Sequence, residues 1–125
     1  MGNQYKQTVL LTGGLGLLGK AIAKSLNENG YHVIVVDIRE DRSSLPGEVD
    51  YIQFDLMQVD DYHKLREAVS KKTNNLKGLI NNAAFNPKIE EGCKSFGKFE
   101  DVRLEDWDRE MKLNLTVPVF LIKEM

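Results

Sequence analysis

Eight residues, Thr12-Gly13-Gly14-Leu15-Gly16-Leu17-Leu18-Gly19, carry the clearest chemical potential in the chain. They follow a short apolar run, Val9-Leu10-Leu11, and precede Leu18, Ala21, Ile22 and Leu26, which recur at helical spacing. A glycine-rich turn between a strand and a helix aims unpaired N–H groups and the positive end of the helix dipole at an anion. The main-chain N–H groups of Gly13, Gly14, Leu15, Gly16, Leu17 and Leu18 are therefore candidate contacts for a pyrophosphate. Without Cβ atoms, Gly13, Gly14 and Gly16 can take positive φ and admit the ligand close to the backbone. Gly19 is expected to let the helix pack closely on its strand.

A carboxylate completes the pattern. Asp37 closes a second apolar run, Tyr31-His32-Val33-Ile34-Val35-Val36, and lies 18 residues after Gly19, near the roughly 20 residues that a dinucleotide fingerprint places before its ribose-binding acid. It can accept hydrogen bonds from both hydroxyls of an adenosine ribose and would repel a 2′-phosphate, which favours NAD over NADP. Arg39, two residues on, is the one nearby group able to swing toward a 2′-phosphate. The plainer reading of Asp37 is a turn residue ending a strand.

The elements that must position these residues follow from the apolar periodicity. Strands are expected at about Thr8–Thr12, His32–Asp37, Asp50–Phe54 and Gly78–Asn81. Helices are expected at about Leu17–Asn29, with Gly30 ending it, at Val59–Lys72, and from near Leu104 to the end. Nearly continuous apolar strands alternating with helices imply a parallel sheet covered on both faces. Right-handed crossovers then order the strands 3-2-1, with the fourth beside the first, and open a crevice at the switch point.

Composition narrows the class. The 125 residues carry 42% hydrophobic and 29% charged side chains with a net charge of −2, as a single soluble domain would. There is no basic stripe to track a nucleic acid and no apolar run long enough to span a membrane. Met1-Gly2-Asn3-Gln4-Tyr5-Lys6 lacks the apolar core of a signal peptide. The single cysteine, Cys93, cannot form an internal disulfide, which points to a reducing, cytoplasmic setting. No metal site is expected.

Four segments together resemble the short-chain dehydrogenases/reductases. The loop Thr12–Gly19 is similar to the family's T-G-x-x-G-x-x-G variant, and Asp55 in Gln53-Phe54-Asp55-Leu56 to its aspartate after the third strand. Asn81-Asn82-Ala83-Ala84 resembles N-N-A-G with alanine at the last place, and Trp107-Asp108 followed by Asn114-Leu115 resembles the helix bearing the family's catalytic asparagine. The resemblance implies an α/β, Rossmann-type doubly wound parallel sheet. Its function would be to bind NAD (NADP less readily) for hydride transfer with a small alcohol or carbonyl, in a homo-oligomer.

It also implies roles for particular residues. Asp55 and Leu56 would face the adenine, where the alternative for Asp55 is a helix cap. Asn82 would either tie neighbouring strands or contact the cofactor, with small Ala83 and Ala84 leaving room for the ribose. The Asn114 main chain would hold a relay water, the alternative being an asparagine bonded locally at a helix distortion; as a polar residue in an apolar helix it is expected to be buried. Trp107 would pack in the core or against a neighbouring subunit. The family's serine and Tyr-x-x-x-Lys have no counterpart, because residues four after Tyr5, Tyr31, Tyr51 and Tyr62 are Val9, Val35, Asp55 and Arg66.

The expectation is thus one dinucleotide-binding domain, 1–125, truncated after the helix following strand four and inactive alone, with an apolar face of Leu113, Val117, Phe120 and Leu121 uncovered. The segment Phe85–Arg103 would line a substrate entrance or cover a dimer. A non-catalytic nucleotide sensor and an interaction module are the other readings.

Overall fold

The computed structural model describes residues 6–84 and 98–125. Cys93 and most of the proposed entrance segment, including Pro87, Gly92, Phe96 and Gly97, lie outside the described residues. Two apolar runs form strands buried at every position, β1 (Thr8–Thr12) and β2 (His32–Asp37). β3 (Asp50–Gln53) and β4 (Leu76–Ile80) flank them and are partly exposed. All pairings are parallel and the order is β3-β2-β1-β4, as the crossover rule requires. The third strand stops one residue earlier than its composition suggests, and the fourth begins two residues sooner, where Thr8 pairs with Leu76.

Successive strand residues point to opposite faces, so each face builds its own core. Leu10, Ile34 and Val36 meet helix α2 (Tyr62–Ser70) through Tyr62, Leu65 and Val69. On the other face Leu11, Val33 and Val35 meet Leu15 and Ala23, the latter in helix α1 (Leu17–Glu28). Each such fully buried side chain contributes on the order of 1.5–3 kcal/mol. The buried stripe of α1 is Gly19, Ile22, Ala23 and Leu26, whereas Ala21 and Leu18 face outward. Gly30 leaves the helix with φ +86°. A short 3₁₀ turn (Val59–Asp61) precedes α2, replacing the first turn of the expected longer helix.

At the amino-terminal end of the sheet, polar residues are joined across three strands. The hydroxyl of Thr8 lies 2.6 Å from that of Thr73 and 3.0 Å from Nδ1 of His32, whose Nε2 is 2.6 Å from Asp50. These bonds satisfy groups that burial would otherwise penalise.

The last segment is not one continuous α-helix. α3 (Leu104–Met111) and α4 (Val117–Glu124) are separated by a π turn, Lys112–Thr116, closed by the Val117 N–H on the Lys112 carbonyl. Pro118 supplies the reason. It has no N–H for the carbonyl four residues back, that of Asn114, and its ring would strike that carbonyl in a regular helix. Widening the turn relieves the conflict.

The expected uncovered face is also corrected. Val117 and Leu121 are buried and Leu113 packs on the same core. The outward apolar residues are instead Leu104, Trp107, Met111, Leu115, Val119 and Ile122, with Phe120 near the boundary. Trp107 is 53% exposed, so it is no part of this chain's core. Leu121→Ala should therefore cost about 2–5 kcal/mol, whereas Leu115→Ala on the same segment should cost less than about 0.5 kcal/mol. Urea unfolding midpoints of the two variants check this ordering.

Candidate functional site

The carboxyl ends of the strands and the start of α1 enclose a cleft of about 490 Å³. Its geometry begins at Gly13, which adopts φ +68° and donates to the Val36 carbonyl at 2.8 Å. A Cβ at Gly13 would sit 2.9 Å from the Ala83 Cα, so the turn after β1 passes directly against the segment after β4. Gly14 and Gly16 do not take positive φ. Gly14 is instead required for space, since a Cβ there would lie 2.4 Å from a Val35 methyl. At Gly19 the close contact is with the preceding loop: a Cβ there would meet the Gly13 carbonyl at 2.1 Å, so this turn of the helix packs against its own loop, while Ala23 reaches the strands. Gly16 caps α1 without any side-chain cap, and no acidic residue occupies the first turn. The positive end of α1 therefore has no capping side chain or first-turn acid of its own.

Asp37 sits beside the glycine loop and is 9% exposed. Its Oδ2 accepts from the Leu15 N–H and its Oδ1 from the Arg39 N–H, both at 3.1 Å. Arg39 closes the ring by donating through Nη1 to the Leu15 carbonyl at 3.0 Å. The guanidinium is thus held against the glycine loop.

Asp55 does not cap α2, whose N-cap is Asp61 without a side-chain bond. The Asp55 Oδ1 accepts from the Met57 N–H at 3.0 Å, shaping the turn before α2, while the residue also lines the cleft beside Phe54, Leu56 and Met57.

Thr12 joins the two halves, and sequence reasoning did not single it out. Its hydroxyl oxygen accepts from the N–H groups of Asn82 and Ala83 at 3.1 and 3.0 Å and donates to the Ile80 carbonyl at 3.5 Å. Asn82 returns a bond from Nδ2 to the Gly13 carbonyl at 3.1 Å, so it ties the strand ends together while also lining the cleft.

The fold brings together Gly13, Gly16, Leu17, Leu18, Asp37, Arg39, Asp55, Leu56, Asn82, Ala83 and Ala84 around this one cleft. Gly14 and Leu15 are buried behind it, and the Leu15 side chain belongs to the core. Leu18, expected to pack inward, is 65% exposed at the cleft instead. Asn114 is exposed rather than buried and lies in the π turn, while its neighbour Leu113 reaches the cleft. Pro118 was the sequence signal for that distortion. Val36, Ile38 and Met57 also line the cleft without having been anticipated. Among the described residues there is no group of three or more His, Cys, Asp or Glu placed to hold a metal ion. Nor is any helix of the described residues long and apolar enough to cross a membrane.

The family model for short chain dehydrogenases matches residues 7–125. The chain belongs to that family. Short chain dehydrogenase/reductase dpfgG of Gibberella zeae is 36% identical over 124 residues, covering 94% of this chain and 43% of that protein. The NAD-dependent glycerol dehydrogenase of Listeria innocua is 31% identical over 118 residues, covering 90% and 43%. The chain therefore spans less than half the length of the curated relatives it matches. Among solved structures, the 3-oxoacyl-acyl-carrier-protein reductase of Brucella melitensis in complex with NAD superposes with a TM-score of 0.82 at 25% identity, covering 95% of this chain and 47% of that one. ElxO with NADPH bound shares the fold at a TM-score of 0.81 and 22% identity, covering 95% and 48%.

The Leu56 side of the cleft is expected to respond to alkaline pH through Tyr62. The Tyr62 hydroxyl donates to the Leu56 carbonyl at 2.6 Å. Burial, followed by the nearby Asp55 charge, pushes its phenol up from 10.0 to about 12. A raised folded pKa means that this contribution to stability is complete below pH 10 and lost as pH rises toward about 12. Urea midpoints should accordingly fall over that window in the wild type. Tyr62→Phe should reduce the fall while lowering stability at neutral pH through loss of the Leu56 bond.

Proposed function

We propose that this chain binds a nicotinamide dinucleotide, NAD in preference to NADP, and serves an oxidoreductase acting on a small alcohol or carbonyl compound. The observation that carries this reading is the pairing, in one cleft, of the uncapped start of α1 with a carboxylate fixed to the adjacent loop. The first-turn N–H groups of α1 bind the pyrophosphate, assisted by the helix dipole. Asp37 accepts the hydroxyls of the adenosine ribose, since its oxygens retain acceptor capacity beyond the two main-chain bonds. Asp55 accepts from the adenine amine, and Ala83 and Ala84 leave space beside the sugar.

Two features favour NAD. The Asp37 charge opposes a 2′-phosphate, and Arg39 is already engaged by the Leu15 carbonyl. The printed dependence of the Listeria relative on NAD and the NAD complex of the Brucella reductase support the same choice, whereas the NADPH complex of ElxO shows that the fold itself accepts either.

The bound nicotinamide would supply hydride acceptance or donation. Asn114 stands at the place which, by resemblance, holds a relay water on its main chain, and the π turn gives that position a backbone unlike a regular helix. The 125 residues contain no Tyr-x-x-x-Lys, so a polypeptide of this sequence alone is expected to bind cofactor without turnover. The outward Leu104, Trp107, Met111, Leu115 and Val119 support self-association, and the lone Cys93 a cytoplasmic setting.

NADH fluorescence titration tests the reading. Saturable binding is expected, tighter than for NADPH, and Asp37→Ala should weaken NADH by about tenfold, the equivalent of roughly 1.4 kcal/mol. A folded chain that leaves NADH fluorescence unchanged at saturating concentration would count decisively against it.

A further inference from the structure

If Asp37 presents its carboxylate to a ribose, something must set the angle of that carboxylate. Its Oδ1 takes the N–H of Arg39, which belongs to the Ile38–Arg39 peptide. The peptides on either side carry the carbonyls of Asp37 and Arg39, and both converge on the hydroxyl of Tyr51. That hydroxyl lies 3.2 Å from the Asp37 oxygen and bonds the Arg39 oxygen. Gln53 adds a bond from Nε2 to the Ile38 carbonyl at 3.2 Å. Three successive carbonyls of the turn leaving β2 are thereby gripped from β3.

The gripping ring is itself well anchored. Tyr51 pairs with Val35 within the sheet. The Arg42 guanidinium stands 5.9 Å from the ring centroid while Nη2 donates to the Val49 carbonyl at 2.6 Å. Burial, then the Asp37 charge, raises the phenol above its ordinary value, and it stays a hydrogen donor at neutral pH.

We infer that Tyr51 is a positioning residue that selects the unphosphorylated adenosine ribose, by fixing the Ile38–Arg39 peptide so that Asp37 faces the sugar and Arg39 stays on the Leu15 carbonyl. This rests on the cofactor reading above. Without the hydroxyl, Gln53 still holds the Ile38 carbonyl and the Phe54 N–H the Asp37 carbonyl, but the Arg39 carbonyl loses its donor from β3; the turn loosens at Arg39, the Oδ1 bond of Asp37 weakens, and the guanidinium is released toward a 2′-phosphate. Tyr51 is not among the residues that line the cleft.

Tyr51→Phe in the 125-residue chain removes one oxygen and keeps the ring, and NADH and NADPH are titrated against both proteins. The expected result is a drop in the NADH-over-NADPH preference of about 3- to 10-fold, the effect of roughly one hydrogen bond, with NADPH affinity held or improved. An unchanged preference, including equal weakening of both cofactors as a merely structural residue would give, overturns the assignment to Tyr51 and leaves the cofactor reading standing. A folded wild-type chain that binds neither cofactor overturns both. Should the variant not fold, amide hydrogen exchange on the wild type decides. Slow exchange at the Arg39 N–H supports a held peptide, and exchange there at the free-chain rate overturns it.

Discussion

Both oxygens of the Asp37 carboxylate accept main-chain hydrogens, one from the glycine loop and one from the turn that follows β2. A nearly buried charge is tolerable only with such partners, and this need couples two distant parts of the chain. The Leu15 N–H reaches Asp37 because Gly13 turns the chain at φ +68° and because Gly14, lacking a Cβ, lies flat against Val35. The start of α1 and the end of β2 are thus one mechanical unit. A shift of either would cost the other its hydrogen bonds.

Thr12 performs the corresponding task on the other side of the cleft with a neutral group. The oxygen accepts two N–H groups from the segment after β4, and Asn82 answers with a bond to the Gly13 carbonyl. The crevice lies where β1 has one neighbour in β2 and another in β4, so crossovers leave it in opposite directions. Side chains from both departures meet there because the sheet order sends them to the same end. The site is a consequence of topology before it is one of individual residues.

The last helical segment balances two demands. Val117, Leu121 and Leu113 must remain on the core that α2 also covers. Pro118 forbids a regular bond to the Asn114 carbonyl. A π turn satisfies both, since the extra residue in the turn accommodates the proline while the buried positions on either side keep their contacts. Asn114 is thereby placed on an exposed part of a distorted turn, where a buried amide had been expected.

Periodicity and glycine spacing by themselves determined the four strands, their order, the location of the crevice and, among its lining residues, those of the glycine loop with Asp37 and Arg39, whereas Asp55, Leu56, Asn82, Ala83 and Ala84 were legible only through the family resemblance. These are legible because burial on both faces forces continuous apolar runs, and because left-handed turns and close approach force glycine. Composition could not decide which glycine takes positive φ, that Gly19 packs on its own loop, that Leu18 faces outward, or that Thr12 and Tyr51 hold the walls. The contacts at Gly13, Gly14, Thr12 and Tyr51 depend on atoms from segments remote in sequence: Ala83 against Gly13, Val35 against Gly14, the Asn82 and Ala83 N–H groups on Thr12, the Arg39 carbonyl over Tyr51. Hydrogen-bond partners and steric neighbours of that kind are set only when the sheet brings the segments together, and no local pattern records them.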